Sequence, residues 1–208
     1  MRAGARGLEI GGKGAFAGTR GDLSNLRVMY GPVLEGTLVR LRPPRPEDAA
    51  LMITWFNDLE VTRFLKIQNP PSLEAEKEFL DRMARDPDSV FWAVEHVGVL
   101  VGGTSIVHID WKHGHGTTGT VIGDKAAWGK GLGRELMQLR AEYAFTQLPL
   151  RKLKSGYLAG NEASAKAQRS AGYKEVGRWT RDRFIDGAWR DHILTELLRE
   201  DWAKTNSV

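Results

Sequence analysis

Between residues 36 and 44, "GTLVRLRPP" alternates Leu38, Arg40 and Arg42 with Thr37, Val39 and Leu41, the period-two pattern of a half-buried strand. The period then changes. In "RPEDAALMITWFND", Ala49, Met52 and Trp55 recur at helical spacing, Pro46 suits a first helical position, and Glu47 and Asp48 suit the positive end of a helix dipole. "SLEAEKEFLDRM" reads as a second helix with Ser72 as its N-cap. Three β-branched and aromatic runs follow, "SVFWAVEH", "VLVGGTSIVHIDW" and "TTGTVIG", the first two joined as a hairpin around Gly98. The amphipathic helix "GLGRELMQLRAEYAFTQL" places Leu132, Leu136, Leu139 and Tyr143 on one face. After it come a strand, "RKLKSGYLA", and a short helix, "NEASAKAQRSAG", capped by Asn161 and ended by Gly172. Two strands, "YKEVGRWTRDRFIDG" and "AWRDHILTELL", turn at "IDG". The order predicts a single mixed α/β domain over residues 32–208.

Residues 1–31 break this patterning. They are rich in glycine and arginine, show no period, and read as a flexible basic extension without the apolar stretch of a secretory signal; Met29 is a candidate start. Five basic side chains against two acidic ones give this segment +3 of the chain's net +4, so the remainder is nearly neutral. That distribution fits a solvated tail, and nucleic-acid binding is not expected. No apolar run approaches the roughly 18 residues of a membrane helix. With no cysteine, disulfides, thiolate metal sites and a cysteine nucleophile are excluded, and a reducing cytoplasm is the expected setting.

"AAWGKGLGREL" concentrates Gly129, Gly131 and Gly133 at the mouth of the long helix, where each costs roughly 0.5–1 kcal/mol relative to alanine in regular structure. The nucleotide P-loop spacing is not met, because five residues separate Gly123 from Gly129 and Lys130 is followed by Gly131. The dinucleotide fingerprint fails as well, since its third glycine would fall on Arg134. A strand, a loop and glycines at a first helical turn remain: an anion site for a diphosphate, with Lys130 and Arg134 adding charge, or a tight turn that binds nothing.

"IGDKAAWGKGLGREL" resembles the cofactor motif of the GNAT N-acetyltransferases, in the branch resembling ribosomal-protein N-terminal acetyltransferases (RimJ/RimL-like). Trp128 stands where the usual motif has Gln or Arg, and Gly131 and Gly133 are its two glycines. "YLAGNEASAKAQRSAGYKEVG" and "DGAWRDHILTELLREDW" extend the resemblance over roughly residues 36–202. It implies a mostly antiparallel central sheet flanked by helices, and acetyl-CoA as co-substrate without a metal. It also implies that Gly129, Lys130, Gly131, Leu132, Gly133 and Arg134 receive the pyrophosphate, and that Val121, Ile122 and Gly123 pair with the pantetheine arm like a neighbouring strand. Asn161 would lie near the pantetheine.

The implied reaction is direct attack of a primary amine on the thioester within a ternary complex. The acceptor classes left open are a small molecule (amino sugar, polyamine or antibiotic-like amine) and a protein N-terminus; a homodimer is compatible with either. Where many members carry a tyrosine acid this chain has Gln168, so Ser164 is the candidate near the departing sulfur, with a helix-capping role as its alternative. Thr118 stands near the usual position of a basic glutamate. Asp110 and His108, beside His113 and His115, are candidate proton acceptors, with a plain polar loop as the alternative. Asp191 reads as ordering a turn, with facing the acceptor as its alternative, and Trp55, Phe56, Phe64 and Trp111 are aromatics of the core or of the acceptor pocket, the core being the commoner place for them. A rival reading is a non-catalytic acyl-CoA-binding module.

Overall fold

The computed structural model describes residues 30–65 and 69–206; the basic extension lies outside them up to residue 29. Tyr30 and Gly31 already hold to the domain, through Tyr30 Oη donating to Leu80 O (3.1 Å) and Gly31 N donating to Phe91 O (3.2 Å).

Eight strands form one sheet: β1 (Leu34–Glu35), β2 (Arg40–Arg42), β3 (Val90–His96), β4 (Val99–Asp110), β5 (His115–Ile122), β6 (Lys152–Leu158), β7 (Lys174–Ile185) and β8 (Ala188–Leu198). Their spatial order is β1-β2-β3-β4-β5-β6-β8-β7, and every neighbouring pair is antiparallel except β5 with β6. This is the mostly antiparallel α/β sheet expected. The β3–β4 hairpin turns on Val97 and Gly98, and β7–β8 on Asp186 and Gly187, all at positive φ, which matches the strand twist of a two-residue hairpin.

The helices are α1 (Asp48–Phe56), α2 (Leu59–Thr62), α3 (Leu73–Arg85), α4 (Leu132–Thr146), α5 (Glu162–Ser170) and α6 (Arg199–Asn206). One core lies between the sheet and α4: Leu132 and Leu136 pack with Trp92, Ile106, Leu153 and Leu197. The other face carries α1 and α3, where Met52, Trp55 and Leu80 meet Ala93 and Leu100. Ser72 caps α3 as predicted, accepting from Ala75 N at 3.2 Å.

Two local expectations change. Pro46 lies before α1, whose N-cap is Glu47, and Asp48 is buried rather than facing solvent at the helix end. Arg42 binds Asp48 through both terminal nitrogens (2.7 and 2.9 Å) and Glu95 through Nε, so its charge is matched inside the protein. The sequence also gave no sign of α6. Its one large apolar side chain, Trp202, packs on Phe145 of α4 (centroids 5.6 Å), and one apolar position leaves no period to read.

Candidate active site

The turn before α4 is braced by bonds on either side of it. Asp124 accepts from Ala126 N and Ala127 N, Lys125 O from Trp128 N (3.1 Å), and Gly131 O from Arg134 N (3.1 Å) and Glu135 N (3.4 Å). Between these, the N–H groups of Gly129, Lys130, Gly131, Leu132 and Gly133 donate to no acceptor among the described residues. They form a run of donors at the positive end of a fifteen-residue helix, the arrangement that binds phosphate. Lys130 and Arg134 stand exposed beside it, without an ion pair among the described residues.

The glycines divide in role. Gly129 and Gly131 sit at φ +75° and +84°, where a Cβ costs roughly 1–2 kcal/mol. Gly133 is helical, and a Cβ there would only touch Ala167 Cβ at 3.5 Å. The fold itself does not demand Gly133. Trp128 is fixed beside the turn by its indole N–H, which donates to Ile122 O (2.8 Å).

The strand leading to this turn stands apart from its parallel neighbour. The β5–β6 register runs from His115↔Lys152 to Thr117↔Lys154 and stops, although both strands continue. Thr118 closes the last rung by donating from Oγ1 to Lys154 O (3.1 Å). Beyond it no rung joins β5 to β6, and this unpaired stretch is the candidate cleft. Gly123 N donates to Val101 O at 2.8 Å, which turns residues 119, 121 and 123 toward β4 and residues 120 and 122 toward the cleft. The backbone groups facing the opening therefore belong to Thr120 and Ile122, not to Val121 and Gly123. Gly123 has a packing role: a Cβ there would lie 2.1 Å from Trp55 Cδ2.

Ser164 stands on α5, which Gln168 ties to β6 on the far side of that stretch. Asn161 caps α5 by accepting from Ser164 N at 3.1 Å, so the serine hydroxyl is not the cap. Instead Ser164 Oγ accepts from Gln168 Nε2 (3.1 Å), which leaves its own proton to be donated. Gln168 also donates to Gly156 O on β6 (3.1 Å) and accepts from Thr195 Oγ1 (2.5 Å), which pins α5 to the sheet.

Matching to known families supplies the decision. Residues 39–174, more than half of the chain, match the acetyltransferase (GNAT) domain. The chain belongs to the GNAT acetyltransferases.

It is an acetyl-CoA-dependent acyltransferase of mixed α/β fold. Spermidine N(1)-acetyltransferase of Escherichia coli is 26% identical over 164 residues, 79% of this chain and 88% of that one. The [ribosomal protein uS5]-alanine N-acetyltransferase of E. coli is 33% identical over 85 residues, 40% of this chain and 43% of that one. Probable N-acetyltransferase YjcK of Bacillus subtilis is 33% identical over a match spanning 43% of its own length. Among solved structures, spermidine N-acetyltransferase from Vibrio cholerae in complex with CoA and spermine has the same fold (TM-score 0.74, 20% identity, 80% of this chain and 99% of that one).

In this acetyltransferase Asp110 and His108 are not brought to the cleft. His115, the partner of Asp110, and Thr117, the partner of Val107, both lie on the closed rungs, which end just before the opening at Thr118. Asp110 instead clasps its own turn, accepting from His113 N (2.9 Å) and facing His113 Nδ1 (2.7 Å). The His113 hydrogen bond holds the Asp110 carboxyl below the usual aspartate range, the wrong direction for a base working near neutrality. His108 is exposed in the bulge of β4, at φ 51°, on the side of Asp86. Trp111 lies at that end too, donating to Asp88 Oδ1 (2.8 Å). Asp191 orders backbone: its Oδ1 accepts from Arg181 N at 2.9 Å.

Proposed function

We propose that this protein transfers the acetyl group of acetyl-CoA to a primary amine, within the RimJ/RimL-like branch and without a covalent enzyme intermediate. The observation that carries the reading is the continuity of two features: unused amide donors at residues 129–133, and a cleft that opens at Thr118 and leads to them. Residues 129–134 would hold the pyrophosphate, with Lys130 and Arg134 contributing charge. The edges of Thr120 and Ile122 would pair with the pantetheine amides, and Asn161 would flank that arm. Bound acetyl-CoA supplies the activated acetyl thioester.

Ser164 then has a defined task. Its hydroxyl, oriented by Gln168, donates to the departing thiolate, a leaving group of ordinary pKa about 8.5 that needs hydrogen bonding more than a strong acid. Ser164→Ala is expected to lower kcat by about 10- to 100-fold while acetyl-CoA affinity changes less than about threefold. Stopped assays paired with calorimetry check this, and equal losses in both would make Ser164 a binding residue only.

The acceptor is a small polyamine-like amine or a protein N-terminus, classes named for two of the relatives. The test is thiol release from acetyl-CoA with spermidine and with an alanine-initiated peptide, after calorimetric titration of acetyl-CoA. Micromolar binding with release for either amine supports the proposal and assigns the class. Binding without release for any primary amine would support the module reading, and no binding at millimolar ligand would overturn both.

A further inference from the structure

Arg140 of α4 lies inside the protein, 1% exposed. An arginine keeps its charge there, yet no carboxylate pairs with this one among the described residues. Its partners are dipoles. Nη1 donates to Gly119 O (2.9 Å), Thr104 Oγ1 (2.6 Å) and Thr120 Oγ1 (2.9 Å), and Nη2 to Tyr173 Oη (3.4 Å). Because a guanidinium can only donate, it sets the direction of the hydroxyls around it. Thr104 accepts from Arg140 and directs its own proton to Gly119 O (3.0 Å). Tyr173 directs its proton to Thr118 Oγ1 (3.4 Å), since the Thr118 proton goes to Lys154 O. One branch of the network ends on the Gly119 carbonyl, the other on the last rung between β5 and β6.

Gly119 O belongs to the same peptide group as the N–H of Thr120, and in a planar trans peptide the two point to opposite sides. Gly119 is turned toward β4, so the Thr120 N–H is turned toward the stretch beyond Thr118, where no rung of β6 takes it up. Hydrogen bonds to a carbonyl oxygen polarise the whole amide and make its N–H a stronger donor. Two donors governed by one charge, Arg140 Nη1 and Thr104 Oγ1, therefore act on this N–H from behind. Both side chains are buried, a setting in which such polarisation keeps its strength.

The place of this N–H along β5 matters on the acetyl-transfer reading. With the pyrophosphate at residues 129–133, the pantetheine arm runs back along β5 past Ile122. The thioester, at the far end of that arm, then comes nearest the fork at Thr118, beside Thr120. The Thr120 carbonyl, on the same edge, is left for the arm itself.

We propose that Arg140 is a positioning residue for acetyl transfer: through Gly119 O it holds and polarises the 119–120 peptide, whose Thr120 N–H donates to the thioester carbonyl oxygen. The inference rests on the acetyl-transfer reading of the same cleft. As the neutral amine nitrogen bonds to the carbonyl carbon, the C=O electron pair moves onto oxygen, and the hydrogen bond from Thr120 strengthens with the charge there. The pair returns as the carbon–sulfur bond breaks. Sulfur leaves with that bond's electrons and takes one proton from the amine nitrogen, giving the amide and the CoA thiol. Arg140 and Thr104 are already in place before the reaction, so the donor is set without rearrangement.

The test compares wild type with Arg140→Gln, Arg140→Lys and Thr104→Val, using spermidine and an alanine-initiated peptide as amines. Arg140→Gln keeps a donor but removes the charge. It is expected to lower kcat by about 10- to 30-fold while acetyl-CoA affinity changes less than about threefold, and Arg140→Lys is expected to recover most of the loss. A second readout needs no amine: the infrared band of the bound thioester carbonyl, picked out with acetyl-CoA carrying carbon-13 at that position. The band is expected to move to lower frequency on binding wild type, and Arg140→Gln to lose most of that displacement. Melting curves report whether each variant folds. Should Arg140→Gln fail to fold, Thr104→Val asks the same question with the charge left in place, and is expected to lose part of the displacement. A wild-type band that does not move, a band placed alike in wild type and the folded variants, or equal losses in kcat and in affinity would overturn the assignment. Failure of acetyl-CoA to bind wild-type protein would instead remove the transfer reading itself.

Discussion

Gly131→Asp is expected to weaken acetyl-CoA binding by at least about 100-fold, roughly 2.7 kcal/mol, while the protein stays folded. Three effects act together. The new carboxylate stands in the run of amide donors at residues 129–133, where the pyrophosphate would sit, and like charges repel. It also offers those amides an internal acceptor and neutralises the positive helix end. The backbone cost is smaller: Gly131 is at φ +84°, a conformation that aspartate tolerates better than most residues, and a Cβ there meets nothing closer than Leu38 Cδ1 at 3.8 Å. Calorimetric titration of acetyl-CoA, paired with a melting curve, separates the terms. A melting temperature within a few degrees of wild type and no measurable binding is the expected pair of results. Unchanged affinity would show that the turn holds no phosphate.

The largest expected effect on stability lies away from the cleft. Asp48→Ala is expected to cost about 3–5 kcal/mol, because it leaves Arg42 buried with half its partners gone. Both side chains are about 5% exposed, so water cannot replace the lost carboxylate. For a domain of this size the loss corresponds to a drop of roughly 10 °C in Tm. A loss below about 1 kcal/mol would show that Glu95 alone satisfies the guanidinium. The pH dependence follows from the same group. Burial pushes the Glu95 carboxyl up, but hydrogen bonding and charge from Arg42, with Arg40 behind, outweigh it and hold it below the usual glutamate range. A depressed carboxyl gives stability that is full above its unfolded value and lost as pH falls through its folded value. Glu95→Gln is therefore expected to flatten the acid limb of the stability curve, as denaturant midpoints across pH 3–7 would report.

Much of this protein was legible before any coordinates. Periods of two and 3.6 residues located the main strands and helices, because each element buries one face and polar residues cover the other. Ser72 and Asn161 marked helix starts because a capping side chain acts within its own turn. The glycines of "WGKGLG" stood out because Gly129 and Gly131 answer to local backbone conformation, which a sequence carries directly.

What stayed hidden depends on contacts between distant segments. Which residues of β5 face the cleft follows from one bond, Gly123 N to Val101 O, and that phase reversed the expected roles of Val121 and Gly123. Asp110 and His108 stood out because they cluster with His113 and His115 between two strands and can take a proton, yet the fold ties Asp110 into its own turn through His113 and leaves His108 in a bulge beside Asp86. The sequence by itself determined the fold class and the glycine turn before α4, since both rest on short-range periodicity and backbone freedom. The tertiary structure alone decided where β5 and β6 part and which side chains meet at that opening, since strand register and diagonal contacts are set by how the whole sheet packs.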